Sequence, residues 1–252
     1  MSGSIYMAAS GAYYCEQKLD ILSNNLANIN STGFKEEKPY FRVTEPPPEV
    51  AESLLENNIS AEDPTAPLWQ VLESQTVFTQ GGLRATGSTL DLALDGKGFF
   101  CIQTPEGVRY TRNGSFTRND AGELTTHDGL PVLGDGGNIQ IDGGGRISVD
   151  ETGNVSVGGV DVGQLRIVAF DQPNQLQRLA DGLFAPPELG AQESEPDNVK
   201  VHQGYLEQSN VEAVRTMTEI IDVLRSYESY QKVIQQIDET EAKAINDVGQ
   251  VV

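Results

Sequence analysis

The sequence has few of the residues from which catalytic, metal and disulfide sites are built. Its 252 residues include two cysteines and two histidines. Cys15 falls in a helical pattern and Cys101 in the strand-like run FFCIQ, which does not indicate a disulfide framework. His127 lies in a THDG turn and His202 precedes the C-terminal helix, and neither belongs to a known nucleophile, metal or phosphate motif. The sequence therefore predicts no catalytic, cofactor or metal site, and a protein that is not an enzyme.

Basic residues are also scarce. The chain carries 17 lysines and arginines against 37 acidic residues, a formal net charge of −20. Such a charge repels phosphate backbones and anionic lipid headgroups, which argues against nucleic acid as a partner. No hydrophobic run is long enough for direct insertion into a membrane. The N-terminus has no basic region followed by an unbroken apolar stretch, so composition alone indicates the cytoplasm.

The N-terminal segment has the periodicity of a helix. Small or apolar residues recur at alternating spacings of three and four from Ile5 to Ile29, which is the pattern of a coiled-coil seam. This predicts a helix of roughly 40 Å that ends near Asn30. The stretch LSNNLANINSTGFK also carries several asparagines, which disfavour helix interiors. Something other than intrinsic propensity must therefore hold it in place.

The C-terminal segment has a similar pattern. SNVE, residues 209–212, has the form of a capping box. Apolar residues then follow at three and four spacing from Met217 to Val251, with one irregular step between Tyr227 and Tyr230. This predicts a helix of roughly 60 Å.

Between the predicted helices the periodicity falls to two, and turn residues recur. Strand-like pieces such as GFFCIQT, GVRYT, GNVSV and QLRIVAF alternate with TPEG, NDAG, HDG, GDGG and DETG. This alternation predicts an antiparallel, hairpin-rich β domain. Before it, EPPPE and the acidic segment after it indicate an extended connector rather than a packed element.

These observations predict an α+β fold in which long N- and C-terminal helices pack as a coiled-coil-like pair, an inner core domain, beside a central antiparallel β-rich domain. The predicted boundaries are residues 1–35 for the N-terminal helix, 36–85 for the connector, 86–202 for the β-rich outer domain and 203–252 for the C-terminal helix. A narrow seam with small residues at Ala8 and Ala12 leaves little apolar area for an isolated pair. We therefore expect the helices to need neighbours, and other copies of the chain are suitable ones.

Three blocks of sequence resemble one family. SNNLANINSTGFK, residues 23–35, is similar to the signature that closes the first helix of bacterial flagellar rod and hook proteins. Residues 86–133, with LDLALDGKGFF and YTRNGSF, resemble the central block of the rod proteins. Residues 203–239, beginning QGYLEQSNVEA, resemble their C-terminal block. The chain thus resembles the flagellar basal-body rod family of FlgF and FlgG type, nearest to its proximal-rod type.

The resemblance implies a structural role. In this family the terminal helices form the inner core of a tube, the β domain faces outward, and the stacked subunits form the periplasm-spanning rod that transmits torque. It implies as partners other copies of the chain, other rod and hook proteins and the flagellar type III export apparatus, which exports the chain without a cleaved signal peptide. The stretch KEEKPYFRVTEPPPEV departs from the distal-rod pattern. We therefore favour the proximal type over the distal alternative.

Two sets of residues are predicted to form assembly interfaces, one in each terminal segment. Gly33 is expected to take a positive φ at the helix exit, with Phe34 packing under the turn. For Tyr13, Tyr14, Tyr227 and Tyr230, contacts between subunits and packing within one helix pair remain equally open. The predicted interface residues are Ile5, Leu19, Leu22, Asn24, Asn25, Leu26, Asn28, Ile29, Thr32, Gly33 and Phe34 in the N-terminal segment, and Ser209, Asn210, Val211, Met217, Ile220, Leu224, Tyr227, Ile234 and Ile237 in the C-terminal segment.

Two rival functions remain. If the chain were an enzyme, its turnover would be lost on mutation of His127 or His202. The aspartates of the chain, however, occur in Asp-x-x-Gly turns, where hydrogen bonds from the side chain to the backbone explain them. A secreted calcium-binding β protein is suggested by GDGGNIQIDGGG, residues 134–145. The aspartate spacing there matches neither an EF-hand loop nor a nonapeptide repeat, so turns explain it better.

Overall fold

The computed structural model describes residues 2–44, 69–186 and 192–249. It contains two long helices and a central, antiparallel β-rich region, which confirms the predicted α+β class. The chain divides into two compact units. The first, here called the helical unit, comprises the described parts of 1–24, 37–75 and 215–252, and the second, the β-rich unit, comprises those of 25–36 and 76–214.

The N-terminal helix, α1 (Ser2–Ala27), has 26 residues and a length of about 39 Å. It ends three residues before the predicted Asn30. Turns follow it, in which the Asn28 amide donates to Asn25 O at 3.2 Å and the Ser31 amide donates to Asn28 O at 3.1 Å. The asparagines that disfavour a helix interior therefore lie in its last turn and in the turns that replace it.

The C-terminal helix, α2 (Ala213–Gly249), has 37 residues and a length of about 56 Å. Neither long helix meets the length and hydropathy needed to cross a membrane, as far as the described residues go. The capping box predicted at 209–212 is wrong, because α2 begins after it. The Ser209 hydroxyl accepts instead from the amide of Val211, two residues on, at 3.3 Å. A hydroxyl bonded so locally holds a turn and leaves the first helical amides to other partners.

A small apolar cluster occupies the helical unit. Its buried members are Cys15 and Leu22 of α1 and Val223 of α2, and Tyr14, Leu19, Ile220 and Tyr227 pack against it. The α1 seam is as predicted at its three buried positions, Ala8, Cys15 and Leu22. On α2 the predicted Ile220 and Tyr227 pack against the cluster, but the buried apolar residue between them is Val223, whereas Leu224, which the seam was predicted to include, is 44% exposed. A shift of one residue turns a helical side chain by about 100°, which accounts for the difference.

The segment predicted as a connector contains paired strands. β1 (Glu37–Thr44) and β2 (Trp69–Thr76) form a two-stranded sheet. The Tyr40 hydroxyl donates to Glu73 at 2.6 Å, and Arg42 forms an ion pair with the same carboxylate at 2.7 Å. The structure differs here from the expectation of an unpacked connector, because the run EKPYFRVT can pair across the ribbon. EPPPE and the rest of 45–68 lie outside the described residues.

The remaining strands belong to the β-rich unit. In chain order they are β3 (Leu83–Ala85), β4 (Leu92–Asp95), β5 (Phe99–Thr104), β6 (Gly107–Thr111), β7 (Phe116–Arg118), β8 (Leu124–Thr126), β9 (Leu133–Gly134), β10 (Gly137–Asn138), β11 (Ile147–Val149), β12 (Asn154–Val157), β13 (Val160–Gln164), β14 (Ile167–Phe170), β15 (Gln177–Arg178), β16 (Leu183–Ala185), β17 (Glu193–Ser194), β18 (Lys200–Gln203) and β19 (Tyr205–Glu207). Short 3₁₀ turns lie at Pro173–Gln175 and Ala180–Gly182.

These strands form one larger sheet and several small ones. The larger sheet has the order β15-β16-β6-β5-β14-β17, and a second sheet has the order β11-β12-β13. The pairs β18-β4, β19-β3, β7-β8 and β9-β10 complete the pattern. Each of these pairings is antiparallel. The tight turns predicted at 104–107 and 150–153 join β5 to β6 and β11 to β12, as expected of a hairpin-rich domain.

Two apolar clusters hold the β-rich unit together. One surrounds Phe100, Ile102 and Val132, which are fully buried. The other gathers Phe99 and Phe184 with further aromatic residues, and their rings meet edge to face. Such edge-to-face pairs add stability beyond the area that they bury.

The last two strands extend the β-rich unit beyond its predicted boundary. β18 pairs with β4, and β19 pairs with β3. Residues 203–214 therefore belong to the β-rich unit, as do residues 25–36 from the end of α1, and the predicted boundaries at 35 and 203 do not coincide with this division.

Candidate functional site

Three segments that are far apart in sequence meet at a buried group of charges in the β-rich unit. Lys35 follows α1, Arg112 follows β6, and Glu207 ends β19. Lys35 Nζ lies 2.6 Å from Glu207 Oε1, and both side chains are completely buried. Arg112 lies 3.4 Å from Glu207 Oε2 and is 3% exposed. One carboxylate is therefore shared by two buried cations, and we call this group the charged junction.

The surrounding backbone supplies further hydrogen bonds to the charged junction. The Gly81 amide donates to Glu207 Oε1 at 2.9 Å, and Lys35 Nζ donates to Thr79 O at 2.9 Å. Arg112 donates to Gly96 O at 2.6 Å, while its Nε has no partner within the described ranges. Since a buried charge is tolerated only when it is paired and hydrogen-bonded, each contact limits the cost of burial.

Burial changes the titration of both cations. It lowers the pKa of Lys35 from its ordinary value, and the neighbouring Glu207 carboxylate opposes that change. Burial likewise lowers the pKa of Arg112, again opposed by Glu207. Desolvation is thus the larger influence on the pKa of each cation, and the Glu207 carboxylate opposes it in both cases.

Asn210 joins the same segments beside the charged junction. Its side-chain oxygen accepts from the Glu36 amide at 2.7 Å, and its side-chain nitrogen donates to Val77 O at 2.8 Å and to Thr79 O at 3.1 Å. An asparagine amide has both donor and acceptor atoms, and here it uses both to satisfy two backbone segments.

Gly33 lies between the backbones of Glu207 and Arg112. Its φ is +68°, which confirms the predicted positive φ. Its amide donates to Glu207 O at 2.8 Å. A Cβ at this position would lie 2.5 Å from the carbonyl carbon of Arg112. Both the backbone conformation and the space therefore require glycine.

Phe34 is buried at the same place. The guanidinium of Arg178 lies 4.1 Å from the centre of its ring, a cation–π contact. Arg178 also donates to Lys35 O at 3.2 Å. The GFK end of the N-terminal signature is thus held on one side by Glu207 and on the other by Arg178.

The predicted interface residues of the N-terminal segment have different environments. Of these eleven, four are buried, one is exposed and the others are half-buried. The buried ones are Leu22, Asn25, Gly33 and Phe34, the exposed one is Asn24, and the half-buried ones are Ile5, Leu19, Leu26, Asn28, Ile29 and Thr32. The structure brings Gly33 and Phe34 to the charged junction and Leu19 and Leu22 to the helical cluster.

Those of the C-terminal segment are similarly divided. Val211 is buried, Met217 and Leu224 are exposed, and Ser209, Asn210, Ile220, Tyr227, Ile234 and Ile237 are half-buried. Asn210 lies beside the charged junction, whereas Ile220 and Tyr227 lie in the helical cluster.

Sequence reasoning missed Glu207, Arg112 and Lys35 as a connected group. Each lies in one of the three quoted sequence blocks, and that shared membership was the available signal. Periodicity did not identify the group, because the sequence pattern around Glu207 in the run YLEQ would be the same if its side chain were exposed. Gly11 was missed as well, and a Cβ there would overlap the ring of Tyr230.

The structure also locates the features behind the rival functions. His127 Nε2 lies 3.1 Å from Ser115 Oγ at a shallow cleft of about 40 Å³. In the described part of the chain, no three or more His, Cys, Asp and Glu side chains come together as a metal site. Within residues 134–145, Gly137 and Asn138 pair with Gly134 and Leu133 in a hairpin.

Three family descriptions match successive parts of the chain. Residues 5–35 match "Flagella basal body rod protein", residues 93–157 match "Flagellar hook protein FlgE/F/G D1 domain", and residues 202–247 match "Flagellar basal body rod FlgEFG protein C-terminal". Each of the three residues of the charged junction therefore lies in a different one of the three matched segments.

Individual relatives align along the whole chain. The flagellar basal-body rod protein FlgF of Caulobacter vibrioides is 36% identical over 255 residues, covering 100% of both chains. FlgG of Bacillus subtilis is 30% identical over 263 residues, covering 98% of this chain and 99% of the relative. FlgF of Rhizobium meliloti is 30% identical, with 99% of each chain covered. This chain belongs to the flagellar basal-body rod protein family of FlgF and FlgG type.

Proposed function

We propose that this chain is a structural subunit of the bacterial flagellar basal-body rod. It assembles helically with copies of itself and with other rod and hook proteins, and the resulting rod spans the periplasm as a torque-transmitting shaft and export channel. The observation that carries this proposal is the end-to-end alignment with a rod protein, which includes both long helices. The family is a structural one, in keeping with the predicted absence of enzyme activity.

We further propose a position in the proximal rod, with the distal rod as the alternative. The relative of 36% identity is an FlgF, which supports the proximal position, although FlgG proteins also align over nearly the full chain. Imaging of isolated basal bodies that carry a tagged copy tests both proposals. A suitable insertion point is Gly159, between β12 and β13, where a side chain would have no atom within 4 Å of its Cβ apart from its neighbours in the chain.

The outcomes of that experiment are distinct. A tag at the membrane-proximal end of the rod supports the proximal position, and a tag near the hook supports the distal one. A tagged chain that is exported and stable but absent from every basal body contradicts the rod function itself.

The helical unit is the proposed inner core, in which α1 and α2 pack as a coiled-coil-like pair. The apolar cluster of Cys15, Leu22 and Val223 supports this pairing, because it is formed by residues of both helices. Under this proposal the predicted interface residues that remain exposed or half-buried are covered by neighbouring subunits. The acidic β-rich unit forms the outer domain.

Assembly is proposed to order the terminal helices. The cluster between them has three buried members, a small core for helices of 26 and 37 residues. Burial of so small an apolar cluster offsets little of the free-energy cost of ordering the backbone, which is roughly 1–2 kcal/mol per residue. Heteronuclear NMR of the exported monomer tests this proposal. Sharp, protected helical amides throughout residues 5–30 would contradict it.

Export is proposed to proceed through the flagellar type III apparatus, without removal of a signal peptide. The proposal follows from the family, whose members assemble with rod and hook components in the basal body. In a strain that lacks the export apparatus, the chain should remain in the cytoplasm. Mass spectrometry of the chain from basal bodies should show an uncleaved N-terminal segment, and a shortened one would contradict the proposal.

A further inference from the structure

The segment between β6 and β7 contains the one Asn–Gly pair of the sequence, Asn113 and Gly114. The side-chain amide of an asparagine can be attacked by the backbone nitrogen of the next residue, and the side chain of that residue normally obstructs the approach. Glycine has no side chain and has the most permissive backbone. Asn113 is therefore the asparagine whose neighbour obstructs such an attack least.

The fold requires the glycine of this pair. A Cβ at position 114 would lie 1.6 Å from Leu92 O. The carbonyl oxygen of Gly114 also accepts from the Leu92 amide at 3.0 Å. Because β4 approaches so closely, position 114 cannot carry a side chain, and the peptide that follows Asn113 is held in place.

The Asn113 side chain is folded toward this peptide. The Ser115 amide donates to Asn113 Oδ1 at 3.0 Å, two residues along the chain. A hydrogen bond of this kind turns the side chain back over its own backbone, so that Cγ lies beside the Gly114 nitrogen. During an attack on Cγ, negative charge develops on Oδ1. A donor already bonded to that oxygen stabilises the developing charge.

The two nitrogens that would react are not held by hydrogen bonds. Within the ranges that the structure describes, neither the Gly114 amide nor Asn113 Nδ2 has a hydrogen-bond partner. Asn113 also lines the shallow cleft of about 40 Å³, which is large enough for water. Asn154 differs in both respects, because its Nδ2 donates to Asp150 at 2.9 Å and the next residue is a valine.

We propose that Asn113 is a site of spontaneous deamidation in the folded chain. The Gly114 nitrogen bonds to Asn113 Cγ, the bond from Cγ to Nδ2 breaks, and Nδ2 leaves as ammonia with the proton of the Gly114 amide. Water then adds to one of the two carbonyl carbons of the resulting cyclic imide. Cleavage of the newly formed bond gives aspartate, and cleavage of the original backbone bond gives isoaspartate.

The isoaspartate product should weaken the charged junction. It lengthens the main chain by one carbon in the residue that follows Arg112. The backbone is closely packed there, since a Cβ on Gly33 would lie 2.5 Å from the Asn113 nitrogen. The aspartate product keeps the length of the backbone and the acceptor for the Ser115 amide. This proposal concerns the β-rich unit alone and does not depend on the rod function.

Peptide mass mapping of the full chain tests the site. The folded chain is incubated in a mildly alkaline buffer, and each asparagine-containing peptide is followed for the mass gain of NH₂ replaced by OH. Asn154 is the internal control, because it is also half-buried. We expect conversion at Asn113 to be at least about tenfold faster than at Asn154, since one fixed oxyanion donor contributes about a hundredfold in enzymes. Asn113→Gln should remove the signal, because its longer side chain disfavours the five-membered ring.

A parallel incubation in guanidinium chloride separates the effect of the fold from that of the sequence. We expect Asn113 to convert at least as fast in the folded chain as in the unfolded one. Conversion that is slower in the folded chain, or no faster than at Asn154, would overturn the proposal.

The consequence for the charged junction is tested on the separated products. Ion exchange separates chains with the additional negative charge, and an isoaspartate-specific methyltransferase identifies the isoaspartate form. Its urea unfolding midpoint should lie below that of the unmodified chain, whereas Asn113→Asp, made with a normal backbone, should keep the original midpoint. Equal midpoints for the isoaspartate form and the unmodified chain would contradict the predicted effect on the charged junction.

Discussion

Replacement of Glu207 by glutamine should strongly destabilise the β-rich unit. Glutamine keeps the shape of the side chain but removes the negative charge that pairs with Lys35 and Arg112, whose side chains are 0% and 3% exposed. Removing one partner of a buried ion pair costs about 3–5 kcal/mol, because the remaining charge stays desolvated. With two cations sharing this carboxylate, we expect Glu207→Gln to lower the free energy of unfolding by an amount in this range.

Glu106→Gln is the matched control. The Glu106 carboxylate also pairs with an arginine, Arg109 at 3.3 Å, but its side chain is 81% exposed. An exposed pair contributes about 0–1 kcal/mol. Urea unfolding gives the global difference between the variants, and hydrogen exchange at the amides of Gly33 and Gly81, which donate to Glu207, gives the local one. If Glu207→Gln cost no more than the control, the charged junction would not stabilise the unit as described.

Three other outcomes are expected. Gly33→Ala should destabilise the chain by more than Gly129→Ala in urea unfolding, because both residues have positive φ but only Gly33 has backbone atoms where the Cβ would lie; equal losses would contradict this. Gly11→Ala should destabilise the helical unit, because the added Cβ overlaps the ring of Tyr230. In a Tyr230→Ala background the same substitution should stabilise the unit, because alanine has the higher helix propensity. A change in the free energy of unfolding that has the same sign in both backgrounds would argue against the contact. The pKa of Asp150 is lowered to about 2 by hydrogen bonds, first from the Thr152 side chain. Its stabilising effect is present above the ordinary value of 3.8 and is lost as pH falls through about 2, so its carboxyl resonance in NMR should titrate well below 3.8.

The two helices and the hairpin-rich region could be predicted because each depends on local periodicity. Leu22 and Cys15 were placed correctly, since the α1 seam repeats over several turns. On α2, Ile220 and Tyr227 were placed correctly, but the buried position between them was predicted as Leu224 in place of Val223, because an apolar residue occurs at both positions. The start of α2 was also missed. SNVE meets the local requirements of a capping box, but the Ser209 hydroxyl accepts from the Val211 amide, and the Asn210 side chain bonds to the backbone of distant Glu36 and Val77.

The charged junction could not be predicted from local pattern. Lys35 and Glu207 are 172 positions apart, and each has the appearance of an ordinary surface charge in its own segment. Only the fold brings them together and excludes water. By contrast, the positive φ of Gly33 was predicted, but for a helix exit, whereas the structure places Gly33 after the turns that follow the end of α1 at Ala27. The close approach of Arg112, which makes that glycine irreplaceable, appears only in three dimensions.

The account depends on the terminal helices, rather than the β-rich unit, holding the chain in the rod. The most direct measurement is the amount of chain in purified hook–basal bodies when its only copy carries an aspartate on one or the other unit. Ile221→Asp alters the exposed face of α2, and Val160→Asp alters a still more exposed site in the β-rich unit. With both variants exported and folded to the same extent, we predict that Ile221→Asp is lost from the basal bodies and Val160→Asp is retained. Retention of Ile221→Asp at the unmodified level, or loss of Val160→Asp instead, would contradict the account.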